Sequence, residues 1–208
     1  MDTFDFAAGA ALLPAAIAAR GAAENDAWLH ATLPPLLHAR GYLTGAELSR
    51  VMAWKLKSGK WRPGLQGYVD ALADADVRAA SAAAFKALPA KGGAGLAAAL
   101  KALCVLKGVG PATASAVLAV YQPTRCAFMS DESLLFTLGV KEYKDKAALE
   151  LAEACAKQAQ ALGGAWTANQ VQRAIWAAEV VRKQKPAPAP APAPAASSKG
   201  KRKREADS

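Results

Sequence analysis

Apolar residues recur at three- and four-residue intervals along most of the first 183 residues, which is the period of an amphipathic α-helix. Ala supplies much of the hydrophobic fraction of 53%, and few runs are rich in Val, Ile and Thr, so helix is favoured over strand. Pro34-Pro35 and Asp76 are expected to interrupt helices, and Gly41 to end one. The predicted helices cover residues 1–24, 26–40, 44–57, 68–88, 96–106, 112–121, 134–138 and 147–162, and a last helix begins after residue 167.

Two helix starts carry a complete capping signature. Thr44 is followed three residues later by Glu47, and Thr167 is followed in the same way by Gln170. In this arrangement the Thr hydroxyl accepts the amide of the third helical residue, whose side chain accepts the Thr amide. Large aromatic residues spaced thinly between the alanines are the expected core anchors. They are Trp28, Trp54, Trp61, Phe85, Phe128, Phe136, Trp166 and Trp176.

The composition changes abruptly near the C-terminus. Pro–Ala repeats follow Lys185, and such repeats are extended and cannot build a core. We therefore predict an all-α domain over residues 1–183 and a disordered tail over residues 184–208. The tail ends in Lys201-Arg202-Lys203-Arg204, a run typical of a nuclear-import signal or of an additional phosphate-binding arm.

The chain is basic, with a net charge of +9, which favours polyanionic partners such as nucleic acid. Its 3 cysteines, Cys104, Cys126 and Cys155, lack the spacing of a zinc or iron–sulfur site and are expected to be buried free thiols. The apolar N-terminal run follows Asp2 and Asp5 instead of basic residues, so no signal peptide is predicted. No segment is long and apolar enough for a membrane span.

Basic and aromatic residues alternate between residues 54 and 63. Such a segment can bind DNA phosphates through its cations while an aromatic ring stacks on a base or wedges beside it. The alternative is that the tryptophans belong to the core and the basic residues form a solvated rim. The candidate DNA contacts are Lys55, Lys57, Lys60 and Arg62, and the candidate base-pocket residues are Trp54, Trp61 and Tyr121.

A glycine-containing turn separates the helices predicted over 96–106 and 112–121. Its sequence is Leu106-Lys107-Gly108-Val109-Gly110, followed by Pro111, which suits the first turn of a helix. Exposed amides at a tight hairpin and at a helix start bind anions, and DNA phosphate is the expected anion for a basic protein. The candidate phosphate-binding residues are Lys107, Gly108, Val109, Gly110 and Thr113.

This hairpin resembles that of the helix-hairpin-helix DNA glycosylase superfamily, the endonuclease III and alkylpurine-glycosylase group. The family motif reads Leu-Pro-Gly-Val-Gly or close to it, and Lys107 stands here in place of Pro. A helix rich in small residues, a Pro-containing loop and an aspartate follow in the family order. The resemblance covers roughly residues 96–138. It implies a two-lobed all-α fold and cleavage of the N-glycosidic bond of a damaged or mispaired base.

Departures from the family pattern limit the implied chemistry. Lyase-competent members carry Lys two residues after the second hairpin glycine, and Ala112 occupies that position here. The resemblance therefore implies a monofunctional glycosylase without strand cleavage. The four-cysteine cluster of some members is also missing, so no iron–sulfur cofactor is expected. A monovalent cation, K⁺ or Na⁺, at the hairpin carbonyls is implied by the family alone.

Two neighbouring residues, Asp131 and Glu132, are candidates for the catalytic acid. The endonuclease III-type pattern points to Asp131, whereas the alkylpurine-type pattern points to Glu132. We favour Asp131, since Asp is a good N-cap for the helix around Leu134, and the alternative is that Asp131 only caps that helix. A carboxylate near C1′ would stabilise the positive charge that develops on the sugar.

The expected partner is double-stranded DNA, with no membrane, bound by a monomer in the nucleus. Two other functions stay open. The chain can be a non-catalytic DNA-binding protein that keeps the fold without the chemistry. It can also be an all-α interaction protein with a degenerate hairpin.

Overall fold

A computed structural model describes residues 1, 3–88 and 95–184, and these residues form helices without any β-strand. The all-α prediction is confirmed. Within the same residues no helix has the length and apolar character needed to cross a membrane. The helices are α1 (Phe6–Ala11), α2 (Leu13–Ala19), α3 (Ala23–Ala27), a π-helical segment (Trp28–Thr32), α4 (Leu33–Arg40), α5 (Gly45–Ser58), α6 (Leu65–Asp70), α7 (Asp74–Ala87), α8 (Leu96–Cys104), α9 (Pro111–Tyr121), α10 (Asp131–Leu138), α11 (Asp145–Ala161) and α12 (Ala168–Gln184).

The N-terminal region departs from the prediction of one short helix over residues 1–24. It forms α1, α2 and the start of α3, and Pro14 lies in the first turn of α2, where its missing N–H is tolerated. The predicted interruption at Pro34-Pro35 is also wrong. The π-helical segment leads directly into α4, and both prolines lie in the first turn of α4. The stop at Gly41 is confirmed, with a φ of 77° that favours glycine.

Both capping boxes are present. Thr44 Oγ1 accepts the amide of Glu47 at 3.3 Å, and Glu47 Oε2 accepts the amide of Thr44 at 2.9 Å. Thr167 and Gln170 exchange the equivalent bonds at the start of α12. Farther along the chain, the helix predicted over residues 68–88 breaks at residues 71–73, between α6 and α7, and not at Asp76.

Helix α9 lies at the centre of the fold. Residues 113–120 are all buried, because Ala and Ser let neighbouring helices approach from every side. It packs against α4, α5, α8, α11 and α12. Most of the predicted aromatic anchors pack in or against the core, but Trp61 is 65% exposed and Phe136 is 36% exposed. Those two are not core residues.

A buried ion pair connects distant parts of the chain. Asp26 in α3 accepts two hydrogen bonds from Arg173 in α12, at 3.1 and 2.8 Å, and one from the Trp54 indole at 3.1 Å. Burial raises the pKa of Asp26, but these bonds outweigh burial and hold the pKa below its usual value. Nearby, burial lowers the pKa of His30 to about 3, so His30 is neutral and its 3.6 Å contact with Asp26 is not an ion pair.

The cysteines are free thiols, as predicted. Cys126 and Cys155 are buried, and burial raises the pKa of each to about 12. Cys104 is partly buried. Apart from Gln184, which ends α12, the predicted tail lies outside the described residues, and so do Lys201, Arg202, Lys203 and Arg204.

Candidate functional site

The glycine hairpin is built as its sequence requires at Gly108. This residue has a φ of 87°, and a Cβ placed on it would lie 2.8 Å from the Cβ of Tyr68. Both the backbone conformation and the close approach therefore exclude a side chain. The turn is closed by the Val109 amide, which donates to the Leu106 carbonyl at 3.0 Å.

Gly110 is different, since its φ is −104° and a Cβ there would meet no atom of the described residues within 4 Å. Its carbonyl accepts the amides of Thr113 at 3.0 Å and Ala114 at 2.9 Å, which starts α9. Pro111 occupies the first helical position, and the Thr113 side chain is buried. The missing side chain at Gly110 leaves open space at the cleft, where a ligand can approach the backbone.

Asp131 is not the cap of α10, so that prediction is wrong. Ser130 has the extended backbone of an N-cap, and its Oγ accepts the amide of Ser133 at 3.1 Å. Asp131 is thereby the first helical residue, and its side chain is free to point away from the helix end. The alternative that Asp131 serves only as a cap is wrong for the same reason.

The Asp131 carboxylate is held from both sides by the segment between α10 and α11. Tyr143 donates its hydroxyl to Oδ1, and the Lys141 ammonium forms an ion pair with Oδ2. Burial raises the pKa of Asp131, but the bonds from Lys141 and Tyr143 and the charge of Lys141 outweigh burial and lower it. Asp131 is therefore an anion at neutral pH, and burial together with its bond to Asp131 raises the pKa of Tyr143.

Glu132 faces another part of the protein. Its Oε1 accepts hydrogen bonds from Arg20 and Lys183, each at 3.1 Å, and the residue is buried. These bonds join α10 to the end of α2 and the end of α12. Consecutive helical residues point about 100° apart, so one carboxylate faces the cleft while its neighbour faces this interhelical contact.

Asp131 and the hairpin border one cleft of about 290 Å³. The walls come from three separate stretches of chain together with one residue from the loop before α11. The lining residues are Lys55, Gly59, Lys60, Arg62, Leu65, Gly108, Gly110, Pro111, Ala112, Thr113, Phe128, Met129, Ser130, Asp131 and Tyr143. The cleft therefore combines one carboxylate, three cations and a helix start.

The predicted basic contacts divide into two groups. Lys55, Lys60 and Arg62 line the cleft, and the Arg62 guanidinium lies 5.2 Å from the centre of the Tyr143 ring. Lys57 and Lys107 are exposed outside the cleft lining. The Lys107 ammonium lies 4.7 Å from the centre of the Tyr68 ring, next to the hairpin. Val109, one of the candidate phosphate contacts, is buried.

The predicted base-pocket aromatics do not line the cleft. Trp54 is a core residue, which is the alternative raised for it from the sequence. Tyr121 is stacked against Phe85 and His38, with ring centres 3.8 and 4.6 Å apart. Trp61 is exposed between two cleft residues.

Two aromatic residues of the cleft lining were missed in the sequence, and so was the lysine that pairs with Asp131. Phe128 and Tyr143 supply aromatic walls, and Lys141 pairs with Asp131. Phe128 was assigned to the core, whereas Lys141 and Tyr143 lie in a charged loop where no periodicity marks them. The aromatic ring of Tyr143 within that loop was the one feature that could have drawn attention to it.

No protein-family model, curated protein or solved structure matches the chain. Within the described residues, no group of three or more His, Cys, Asp or Glu side chains is arranged to hold a metal ion. Function is therefore inferred from the chemistry of the cleft.

Proposed function

We propose that this protein binds double-stranded DNA and hydrolyses the N-glycosidic bond of a damaged or mispaired base, as a DNA glycosylase of the helix-hairpin-helix type. The observation that carries the proposal is the shared cleft: the Asp131 carboxylate and the backbone of Gly108 and Gly110 line the same cavity. A phosphate held at the hairpin would bring the neighbouring sugar to the carboxylate.

The chemistry requires an anion close to C1′. Breaking the bond between base and sugar builds positive charge on the deoxyribose, and a fixed carboxylate stabilises that charge and orients the attacking water. Asp131 suits this role because its lowered pKa keeps it ionised and Tyr143 and Lys141 fix its position. The base must first leave the duplex, and Phe128 offers an apolar wall to receive it.

Binding to the duplex is assigned to two elements. Lys107 and the amides of Gly108 and Gly110 would bind the phosphates beside the lesion, and Lys60 and Arg62 would bind the strand across the cleft. We include in the proposal a monomeric protein in the nucleus, directed there by the basic run in the tail. A monovalent cation at the hairpin carbonyls stays a prediction from the resemblance, and the Leu106 and Gly110 carbonyls already accept backbone amides.

The second candidate is a DNA-binding protein without catalysis. It is favoured by one observation, the ion pair between Lys141 and Asp131, because a paired cation offsets the negative charge that the transition state needs. For the glycosylase function, Lys141 would have to exchange Asp131 for a DNA phosphate on binding.

The test is base release from duplexes that contain uracil, alkylated purines, 8-oxoguanine or mismatches, followed by alkali to cut at the sites formed. Wild-type protein should release a base from at least one duplex, and Asp131→Asn should release none while binding the duplex normally. Glu142→Gln is the matched control, since Glu142 is an exposed carboxylate in the adjacent loop, and it should keep full activity.

Glu132→Gln separates the two acids. Removing the charge from this buried residue weakens its bonds to Arg20 and Lys183, and charged hydrogen bonds contribute roughly 1.5–3 kcal/mol each. We expect a lower thermal midpoint with base release retained below that temperature. Loss of base release in Glu132→Gln alone would transfer the catalytic role to Glu132. Salt-sensitive duplex binding without any base release would establish the non-catalytic function.

A further inference from the structure

A buried serine on α9 is bonded to the segment that leads to Asp131. Ser115 lies in the second turn of α9 and is 4% exposed. Its Oγ donates a hydrogen bond to the Ala112 carbonyl at 3.0 Å and accepts the Met129 amide, also at 3.0 Å. One hydroxyl therefore acts as donor and acceptor at once, and it joins the start of the hairpin helix to a loop 14 residues farther along the chain.

Both ends of this connection are close to the groups that the proposed reaction uses. Ala112 and Met129 line the cleft. Along the chain, Ala112 comes two residues after Gly110, and Met129 comes two residues before Asp131. Since consecutive Cα atoms are about 3.8 Å apart, the Cα of each end lies within about 8 Å of the Cα of the residue that it would fix.

The segment that Ser115 holds has no regular secondary structure of its own. Residues 126–130 form neither helix nor turn, so a side chain supplies the acceptor for the Met129 amide. The end of the segment is fixed to α12, where the buried Gln172 donates from Nε2 to Ser130 Oγ at 3.3 Å. The loop before the carboxylate is therefore tied to α9 on one side and to α12 on the other.

We propose that Ser115 is a positioning residue that fixes the Asp131 carboxylate relative to the phosphate site of the hairpin. This rests on the proposed function, in which a phosphate at Gly110 brings the neighbouring sugar to Asp131. That reaction requires a fixed separation between the two sites, because a displacement of about 1 Å can cost roughly 100-fold in rate. Ser115 acts on both sites through the backbone.

Ser81 makes the same types of bond away from the cleft. It is fully buried in α7, and its Oγ donates to the Val77 carbonyl at 2.7 Å and accepts the Leu43 amide at 2.8 Å. Leu43 leads into the start of α5, whereas Lys55, which lines the cleft, lies near the other end of that helix. Ser81→Ala therefore removes a comparable buried hydroxyl and is the matched control for Ser115→Ala.

The first experiment measures single-turnover base release by the full chain, with saturating protein over a lesion duplex on which the wild type acts. Both alanine variants should lose a similar amount of thermal midpoint and keep the wild-type Kd for the duplex. Below those midpoints, Ser115→Ala should release the base about 10- to 100-fold more slowly, and Ser81→Ala should keep the wild-type rate. A merely structural role of Ser115 would lower the midpoint and leave the rate unchanged.

A conservative variant restores the bonding group. Ser115→Thr keeps the hydroxyl, and a helical Thr can bond to a carbonyl one turn earlier in the helix. Its added methyl group enters a buried site, so the thermal midpoint should fall. The rate of base release should nevertheless stay close to wild type, which is the opposite of the result for Ser115→Ala.

A second measurement needs no base release. Lys141 and Tyr143 hold the pKa of Asp131 below its usual value, and these contacts depend on where α10 begins. In an NMR titration of the Asp131 carboxyl, Ser115→Ala should raise this pKa towards its usual value. Ser81→Ala should leave the pKa unchanged.

The outcomes distinguish this inference from the proposed function. Equal rates of base release in Ser115→Ala and Ser81→Ala would overturn the inference and leave the glycosylase proposal intact. A rate loss in Ser115→Ala explained by an equal loss of duplex affinity would also overturn it. No base release by the wild type, with a raised Asp131 pKa in Ser115→Ala, would remove the glycosylase function and keep the positional link. No base release with an unchanged pKa would overturn both.

Discussion

The two glycines of the hairpin differ in backbone conformation and in the space around them. Replacing each with alanine therefore tests stability at Gly108 and duplex binding at Gly110. At Gly108 an added Cβ meets the Cβ of Tyr68 at 2.8 Å in a backbone with a φ of 87°. At Gly110 the same methyl group enters open space with a φ of −104°. The two substitutions therefore add the same atom two residues apart with opposite expectations.

The expected loss of unfolding free energy in Gly108→Ala has two parts. A left-handed backbone costs an L-residue roughly 1–2 kcal/mol relative to glycine. Overpacking against Tyr68 adds about 1–3 kcal/mol, because the contact is with a Cβ that moves only with its own helix. The total is about 2–5 kcal/mol, a large share of the stability of an ordinary domain. For a domain of this size that corresponds to a fall of roughly 4–20 °C in the thermal midpoint.

The assay is thermal and urea unfolding followed by circular dichroism, with duplex binding measured at a temperature where both variants are folded. Gly110→Ala should change the stability by less than about 1 kcal/mol, since its backbone conformation is open to alanine. It should nevertheless weaken duplex binding, because the methyl group projects where a phosphate would approach the backbone. Unfolding of Gly108→Ala at the wild-type midpoint would refute the hairpin geometry. Equal duplex binding by Gly110→Ala and wild type would contradict a phosphate-binding site at Gly110.

Two further predictions concern pH and salt. The folded-state pKa of His30, about 3, lies below its unfolded value, so the unfolded chain takes up a proton first as the pH falls through about 6.5. The free energy of unfolding should therefore be roughly 2 kcal/mol smaller at pH 5 than at pH 8. In urea titrations, His30→Gln should flatten this dependence of the unfolding free energy on pH. His38→Gln, a substitution of the exposed histidine, is the control and should leave the dependence unchanged. A profile unchanged by His30→Gln would contradict the neutral buried imidazole. Arg62→Ala should reduce the slope of log Kobs for duplex binding against log salt concentration by about 1, which is the value expected for the loss of one phosphate contact. Fluorescence anisotropy titrations at several salt concentrations measure this slope. An unchanged slope would place Arg62 outside the DNA interface.

Helix starts and stops were predictable where the signal is local. Thr44 with Glu47, and Gly41 after α4, act through bonds and backbone angles within a few residues, so sequence alone locates them. The break at Pro34-Pro35 was predicted by the same local logic and was wrong. The π-helical segment ends directly before α4, so both prolines lie in the first turn of α4, where a missing N–H is tolerated.

The two candidate acids show more clearly what could not be predicted from the sequence. Both Asp131 and Glu132 matched a motif, and their different roles follow from a cap one residue earlier than expected, at Ser130. The partners of the two carboxylates lie far from each other in the chain. Lys141 and Tyr143 come from the next loop, whereas Arg20 and Lys183 come from opposite ends of the domain.

Local sequence was enough to predict that this protein is helical, where most of its helices begin and end, and that a glycine hairpin precedes a carboxylate in a basic chain. These properties depend on propensity, capping and backbone angle, which are set by neighbours in sequence. The packing of the helices determines that Asp131 shares a cleft with the hairpin, that Trp54 is buried and Trp61 exposed, and that Lys55 lines the cleft without a partner among the described residues. Burial and pairing depend on which helices pack together, and that is a property of the whole chain.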